Sequence, residues 1–159
     1  MIRIRFSLRG NDVRYTPTRA HADDACYDLF ARSYAAPESP ADEKAAFTLP
    51  PGRRCLAKTG VFLMLEPDWE ALVRPRSGNA LKLGLTVLNT PGTIDAGYRN
   101  EIGVILHNAG QLALELAEGM KIAQIAFRPV PGHWLERLEE GEFDAGTERG
   151  TAGFGSSGI

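Results

Sequence analysis

A Pro-Arg-Ser-Gly segment at Pro75–Gly78 has residue types suited to binding an anion. A strand that enters a helix through Ser-Gly leaves backbone N–H groups free at the helix N-terminus, where the helix dipole is positive. The Arg76 guanidinium and the Ser77 hydroxyl add further donors, so the segment suits a phosphate group. An isolated Arg-Ser-Gly is nevertheless more often an ordinary capped helix, and the segment alone leaves both interpretations open.

A second segment, Asn89–Tyr98, has the pattern of a hairpin between two apolar strands. Its backbone donors and acceptors can pair with the edge of a base, as a neighbouring strand would. Asp95 places a carboxylate at the turn, where it can activate water. Tyr98 offers a flat ring against which a sugar can pack. Asp, Gly and Asn are also frequent in ordinary turns, so this segment alone favours turn chemistry.

The C-terminal stretch Arg149–Ile159 contains four glycines in eleven residues. Such a composition cannot pack a core and predicts a flexible end. If the tail ordered over a ligand, Arg149 could bind a terminal phosphate and Phe154 could stack on a base. The glycines would then let the backbone approach the ligand closely.

The elements that must position these residues are predominantly strands. Ile2, Ile4 and Phe6 alternate with arginines, and Leu112, Leu114 and Leu116 show the same period of two. Many short strands without βαβ alternation predict an all-β sandwich or barrel. Further short apolar runs occur at Val61–Leu65, Leu85–Leu88, Ile102–Leu106 and Ile122–Phe127.

Two interruptions of the strand pattern stand out. The best helix candidate is short, Gly78–Leu83, with Ser77 as its N-cap. The polar, Ala- and Pro-rich stretch Pro37–Ala46 predicts an exposed loop between strands.

Composition sets the broad class. A chain of 159 residues is the size of one domain, and its net charge of −2 gives no support for a nucleic-acid or anionic-membrane partner. Cys26 and Cys55 belong to no Cys-x-x-Cys motif, which favours two buried thiols over a disulfide or metal site. The N-terminus has no long apolar run, and no stretch approaches the ~18 apolar residues of a membrane span. We therefore expect a cytoplasmic protein that contacts no membrane.

Taken in order, five segments resemble the five ordered motifs of the dUTPase family. The resemblance extends from about Tyr15 to Gly158, and the second and fifth motifs are the most specific. The segments are Asp24–Leu29, Pro75–Gly78, Gly92–Arg99, Gly119–Gln124 and Arg149–Gly158.

This resemblance implies an all-β, jelly-roll-like β-barrel of the β-clip type with one short helix. It implies a homotrimer with three sites at subunit interfaces. Residues 1–148 would form the barrel domain, and residues 149–159 a Gly-rich arm that closes the site of a neighbouring subunit. The implied reaction is Mg²⁺-assisted hydrolysis of dUTP to dUMP and diphosphate, which keeps uracil out of DNA and supplies dUMP for dTMP synthesis.

Carried over by position, Arg76, Ser77 and Gly78 bind the substrate phosphates, and Gln124 belongs to the same network. Asp28 corresponds to the first-motif aspartate. It is expected to touch Mg²⁺ only through water, since Mg²⁺ keeps much of its hydration.

For the nucleoside, Asp95 is implied as the catalytic residue: it contacts the 3′-hydroxyl and orients the water that attacks the α-phosphorus. Tyr98 packs under the sugar and leaves no room for a 2′-hydroxyl. Uracil is held by Asn89, Thr93, Ile94, Asp95 and Gly103. From the tail, Arg149 and Phe154 close over the γ-phosphate and the base, and Gly155 and Ser156 join the substrate-binding residues.

The chain departs from the family pattern at several positions. Cys26 and Ala152 stand where glycine is usual, Asn79 replaces an apolar residue, and Gly97 replaces an acidic residue before the motif tyrosine. The loop at Pro37–Ala46 is longer than typical.

Two alternatives remain open. A dCTP deaminase shares the fold, but it needs a carboxylate on the strand after the hairpin, where this chain has Ile105. A non-catalytic dUTP-binding regulator is the other, although Asp95, Tyr98 and Arg149 are all retained.

Overall fold

A computed structural model describes residues 3–141 and 146–147, and within them the chain is built almost entirely of β-strands. This confirms the all-β prediction. The strands are β1 (Arg5–Leu8), β2 (Tyr27–Phe30), β3 (Ser33–Ala35), β4 (Ala46–Leu49), β5 (Arg54–Met64), β6 (Trp69–Arg74), β7 (Leu85–Val87), β8 (Gly92–Ile94), β9 (Glu101–Asn108), β10 (Leu114–Ala117) and β11 (Lys121–Pro129). One short helix, α1 (Ser77–Leu83), follows β6, and two 3-10 turns (Arg9–Asn11, Val13–Tyr15) follow β1.

The strands form antiparallel sheets, as a jelly-roll-like architecture requires. One sheet has the order β1-β5-β9-β7, with β3 also pairing with β5. A second has the order β2-β11-β6-β8, and β10 pairs with β4 alone. Four of the predicted motif segments lie on or beside strands of this second sheet.

The core lies between the sheets and follows the strand period of two. On β9, Ile102, Val104 and Leu106 are buried, whereas Gly103 and Ile105 between them are more exposed. All four predicted apolar runs contribute buried residues to one contiguous core. At the N-terminus the predicted alternation of buried and exposed side chains is less regular, because Phe6 on the edge strand β1 is 47% exposed.

The helix begins one residue earlier than predicted. Arg76, whose backbone is extended (φ −87°, ψ 129°), is the N-cap, and Ser77 is already the first helical residue. No side chain caps α1. The helix ends at Gly84, where φ is +67° and a Cβ would lie 2.5 Å from the Gly110 backbone nitrogen, so glycine is required.

The loop at residues 37–46 is exposed throughout, as predicted. Glu43 anchors it: its carboxylate accepts hydrogen bonds from Arg32, from Ser33 Oγ at 2.7 Å and from Lys58 Nζ at 2.7 Å. Partial burial would raise the pKa of the Glu43 carboxyl, but the hydrogen bonds from Lys58, Ser33 and Arg32 outweigh it and lower the pKa to about 2.

Both cysteines are free, which confirms that part of the prediction. Cys55 is fully buried, and burial raises the pKa of its thiol to about 12. Cys26 is only half-buried, because it lies at the rim of a cavity rather than in the core. Across the described residues, no helix is both long and apolar enough to cross a membrane.

Candidate active site

Three of the motif segments meet at one cavity, which we call the anion cavity. Its volume is about 300 Å³. It is lined by Ala20, Asp24, Ala25, Cys26, Asp28, Arg76, Ser77, Gly78 and Gln124. The structure therefore brings together the predicted phosphate residues and the predicted metal-contacting aspartate.

Strand register explains why residues so distant in sequence meet here. Gln124 lies on β11 at the centre of the second sheet and pairs with Asp28 on β2 and with Arg74 on β6. Its side-chain amide donates to the Pro75 carbonyl oxygen at 2.8 Å. That bond fixes the chain where it leaves β6 for the Arg-Ser-Gly turn.

Asp28 is held between two cations. Arg76 Nε lies 2.8 Å from Asp28 Oδ1, and Lys121 Nζ lies 2.9 Å from Asp28 Oδ2. The Asp28 side chain is 13% exposed, so these ion pairs are shielded from most of the solvent. The two cations offset the Asp28 carboxylate, and Asp24 adds a second carboxylate to the cavity lining, so phosphate binding depends on the Arg76 guanidinium and on the backbone N–H groups at the start of α1.

Lys121 is a site residue that the sequence reasoning missed. It lies inside the fourth motif segment, but only its pairing with Phe30 across β11 and β2 reveals that it points toward Asp28. Asn79 Nδ2 donates to the Lys121 carbonyl oxygen at 2.9 Å and so ties α1 to β11. This contact gives the unusual Asn79 a structural role.

The start of α1 opens onto the anion cavity through Ser77 and Gly78. Because no side chain caps the helix, its first N–H groups can be offered to an anion. No heavy atom lies within 4 Å of the place where a Cβ of Gly78 would be. A ligand oxygen can therefore approach the backbone at this point.

The predicted hairpin also forms. Its flanking strands, β7 and β9, pair antiparallel. Between them β8 pairs with β6 in the second sheet, and Asp95 follows β8 in an exposed turn. The turn is braced by Tyr98, whose N–H donates to the Asp95 carbonyl at 3.0 Å and whose hydroxyl donates to the Glu101 carbonyl at 2.9 Å. Both Asp95 and Tyr98 (38% exposed) thus face away from their own core.

The remaining predicted base-contacting residues lie around this hairpin. Asn89 packs against Gly92, and Thr93 and Ile94 lie on β8. Gly103 is exposed on β9, and a Cβ there would lie 2.9 Å from Leu56 Cδ1, so a larger residue would force Leu56 to move.

Within a single chain the hairpin does not contribute to the anion cavity. Of the described residues that line the cavity, none comes from β8 or the turn after it. The predicted site residues therefore form two groups, one around Arg76 and one around Asp95. The predictions for Arg149, Phe154, Gly155 and Ser156 lie outside the described residues.

The resemblance to the family implies a magnesium ion at this site. Among residues 3–141 and 146–147, no cluster of three or more His, Cys, Asp or Glu side chains could hold a metal. Asp24 and Asp28 nevertheless place carboxylates on the anion cavity. This set suits an ion bound mainly through water and substrate phosphates, as Mg²⁺ commonly is.

The chain is a jelly-roll-like β-protein with a cavity of about 300 Å³ at the turn between β6 and α1. The family model described as dUTPase matches residues 14–158, which is most of the chain. The chain therefore belongs to the dUTPase family.

Similar proteins agree with this assignment. The deoxyuridine 5′-triphosphate nucleotidohydrolase of Clostridium novyi is 46% identical over 149 residues, covering 94% of each chain. That of Gloeothece citriformis is 45% identical over 145 residues, covering 90% of this chain and 88% of the other.

Solved structures show the same fold. The dUTPase of Staphylococcus bacteriophage 80alpha with dUPNHPP superposes with a TM-score of 0.79 at 26% identity, and all of both chains is covered. A mutant dUTPase from phage phi11 of S. aureus, which coordinates a structural Mg(II) ion, has a TM-score of 0.70 at 25% identity, covering 89% of this chain and all of that one.

Proposed function

We propose that this chain hydrolyses dUTP to dUMP and diphosphate. The observation that carries the proposal is the anion cavity, where Arg76, Ser77 and Gln124 meet around Asp28 in a chain whose family match spans residues 14–158. Relatives 46% and 45% identical over most of their length bear the name of this activity.

The active site is proposed to form between subunits of a homotrimer. The hairpin with Asp95 does not line the anion cavity of its own chain, whereas the proposed reaction places both groups at one substrate. A hairpin from one subunit that meets the anion cavity of another resolves this separation. The tail, residues 149–159, acts as an arm that closes a neighbour's site, and residues 1–148 form the barrel domain.

In the proposed mechanism the anion cavity binds and polarises the triphosphate. The phosphate oxygens accept hydrogen bonds from Arg76, from the Ser77 hydroxyl and from the backbone N–H groups of Ser77 and Gly78. Lys121 and Arg76 Nε hold the Asp28 carboxylate, and the other guanidinium nitrogens of Arg76 bind the phosphates. Fixed positive groups aimed at developing charge are usually the largest contribution to such catalysis.

Asp95 supplies the acid–base chemistry. It orients a water molecule whose oxygen forms a bond to the α-phosphorus, as the bond from that phosphorus to the diphosphate oxygen breaks. The proton released by the water passes to the Asp95 carboxylate. A positioned base of this kind contributes about 10²–10⁴-fold to the rate.

Bound Mg²⁺ would neutralise charge on the phosphate oxygens. Asp28 is the residue proposed to hold one of its water ligands. The ion pairs with Arg76 and Lys121 orient that carboxylate before substrate arrives.

Substrate selection is assigned to the hairpin. Backbone groups at Thr93–Asp95, together with Asn89 and Gly103, are proposed to read the uracil edge, and Tyr98 excludes a 2′-hydroxyl. A wrong base leaves buried polar groups unpaired, which discriminates strongly. Deamination is disfavoured, since Ile105 on β9 offers no carboxylate to activate water.

The cellular role follows from the reaction: removal of dUTP keeps uracil out of DNA and supplies dUMP for dTMP synthesis. Two free thiols and a nucleotide substrate fit the cytoplasm, which stays a prediction.

Hydrolysis in ¹⁸O-labelled water tests the proposed chemistry. Attack at the α-phosphorus places the label in dUMP and leaves diphosphate unlabelled. A label found in diphosphate would contradict the mechanism, and the absence of any dUTP hydrolysis would contradict the function.

A further inference from the structure

Glu101 is a buried carboxylate that none of the predicted site roles uses. Its residue is 7% exposed, at the start of β9. Glu101 Oε1 accepts the Gly60 N–H at 2.7 Å. Glu101 Oε2 accepts Arg9 Nη2 at 2.7 Å and Arg9 Nε at 3.1 Å. A carboxylate with this little solvent is retained only where such partners satisfy it.

The Glu101 carboxylate lies at an irregularity in the pairing of β5 with β9. The register between β5 and β9 shifts from Lys58↔Gly103 to Phe62↔Glu101, so three residues of β5 face one residue of β9. Gly60 lies in this bulge with φ +72°, and its N–H turns to the Glu101 side chain. The position of Glu101 is therefore fixed by its side chain as well as by the strand ladder.

Glu101 is also bonded directly to the predicted sugar-stacking residue. Its carbonyl oxygen accepts the Tyr98 hydroxyl at 2.9 Å. Its N–H donates to Asn100 Oδ1 at 2.7 Å, which closes the short connection between the two residues. Tyr98 is thus held at two points: its backbone N–H donates to the Asp95 carbonyl, and its hydroxyl donates to the Glu101 carbonyl.

We propose that Glu101 is a positioning residue for sugar selection: its carboxylate, clamped by Gly60 and Arg9, fixes the carbonyl that holds the Tyr98 hydroxyl. The inference rests on the proposed function, because it assumes that the Tyr98 ring excludes a 2′-hydroxyl. A ring released from this tether can tilt and admit a ribose, since displacements of about 1 Å are enough to change catalytic efficiency by up to roughly 10²-fold.

The test is the ratio of kcat/KM for dUTP to kcat/KM for UTP in wild type and Glu101→Gln. Glutamine keeps the shape but loses the charge and one acceptor. We expect the ratio to fall by about fivefold or more, mainly through a gain with UTP. Arg9→Met, which removes one partner of the clamp at a half-exposed side chain, should lower the ratio to an intermediate value.

Glu118→Gln is the matched control. The Glu118 carboxylate is also hydrogen-bonded, to Arg14 at 3.0 Å and to the Tyr15 hydroxyl, but within the described residues it has no bond to the hairpin or to Glu101. It should lower thermal stability and leave the dUTP/UTP ratio unchanged. A merely structural role for Glu101 would make Glu101→Gln behave in the same way.

A double mutant links the effect to the tether. Tyr98→Phe removes the hydroxyl that Glu101 holds, so adding Glu101→Gln to it should lower the ratio no further. Additive losses would overturn the inference, as would an unchanged ratio in a folded Glu101→Gln protein. If Glu101→Gln does not fold, Arg9→Met is the test, and an unchanged dUTP/UTP ratio in a folded Arg9→Met protein would overturn the inference. A wild-type protein without dUTP hydrolysis would overturn the proposed function instead.

Discussion

Arg76 and Asp28 are joined by an ion pair of 2.8 Å between residues that lie 48 positions apart in the chain. The pair forms because β11 places β2 and β6 on either side of itself. It aims the Arg76 guanidinium into the anion cavity before any ligand is bound. Pre-orientation of this kind reduces the entropy lost when the phosphates bind.

Arg76→Lys should lower kcat/KM for dUTP by roughly 10²-fold, because lysine replaces a planar fork by a single point charge. Steady-state kinetics measure the change. Arg74→Lys is the control: Arg74 is the neighbouring β6 residue that pairs with Gln124 but does not line the cavity, so its kinetics should stay close to wild type. Equal effects at the two positions would show that Arg76 has no special role.

Asp95→Asn should leave binding of a non-hydrolysable dUTP analogue largely intact and lower kcat by roughly 10² or more, as loss of a positioned base does. Calorimetry measures the binding and single-turnover kinetics the chemistry. Asp42→Asn, on the exposed loop, is a control expected to change neither. Collapse of binding with normal turnover of the remainder would mean that Asp95 only anchors the ligand.

The two thiols should react very differently in the native protein. Cys26 lines the anion cavity at partial exposure, whereas Cys55 is fully buried with a pKa raised to about 12 by that burial. At neutral pH, where Cys55 is almost entirely protonated and shielded, a thiol reagent should label Cys26 alone. A saturating dUTP analogue should slow that labelling. Labelling of Cys26 that ignores the analogue would indicate that the nucleotide phosphates bind elsewhere.

Deletion of residues 149–159 should nearly abolish activity and leave the melting temperature almost unchanged, because a Gly-rich tail adds little to a core. Subunit exchange gives a sharper measurement. Asp95→Asn chains with intact tails, co-refolded with tailless chains that keep Asp95, should regain partial activity through donated tails. If mixed trimers form and stay inactive, the tail closes over its own subunit.

Candidate site residues could be proposed from the sequence, whereas the contacts between them could not. The all-β fold follows from alternation on strands such as β9, where period and burial agree. Lys121 was missed because its contact with Asp28 depends on the register of β11 against β2, which no local pattern encodes. The hydrogen bonds of the Glu101 carboxylate could not be predicted for the same reason, since they depend on a bulge at Gly60, 41 residues away in the chain.

The N-cap residue of α1 also differs from the prediction. A serine before a helical run predicts an N-cap, but Ser77 is helical and Arg76 occupies the cap position. The extended backbone of Arg76 continues the direction of β6, and its side chain is pulled toward Asp28. A one-residue difference at a helix end lies within the ordinary variation of helix boundaries.

The most direct measurement of the central claim is a substrate panel. Diphosphate release, coupled to inorganic pyrophosphatase, would be followed for dUTP, UTP, dCTP and dTTP with Mg²⁺ present. The account predicts hydrolysis of dUTP with a kcat/KM at least about tenfold above that of each other nucleotide, because the hairpin reads the base and Tyr98 the sugar. Comparable rates with UTP or dCTP, or no release from dUTP, would contradict it.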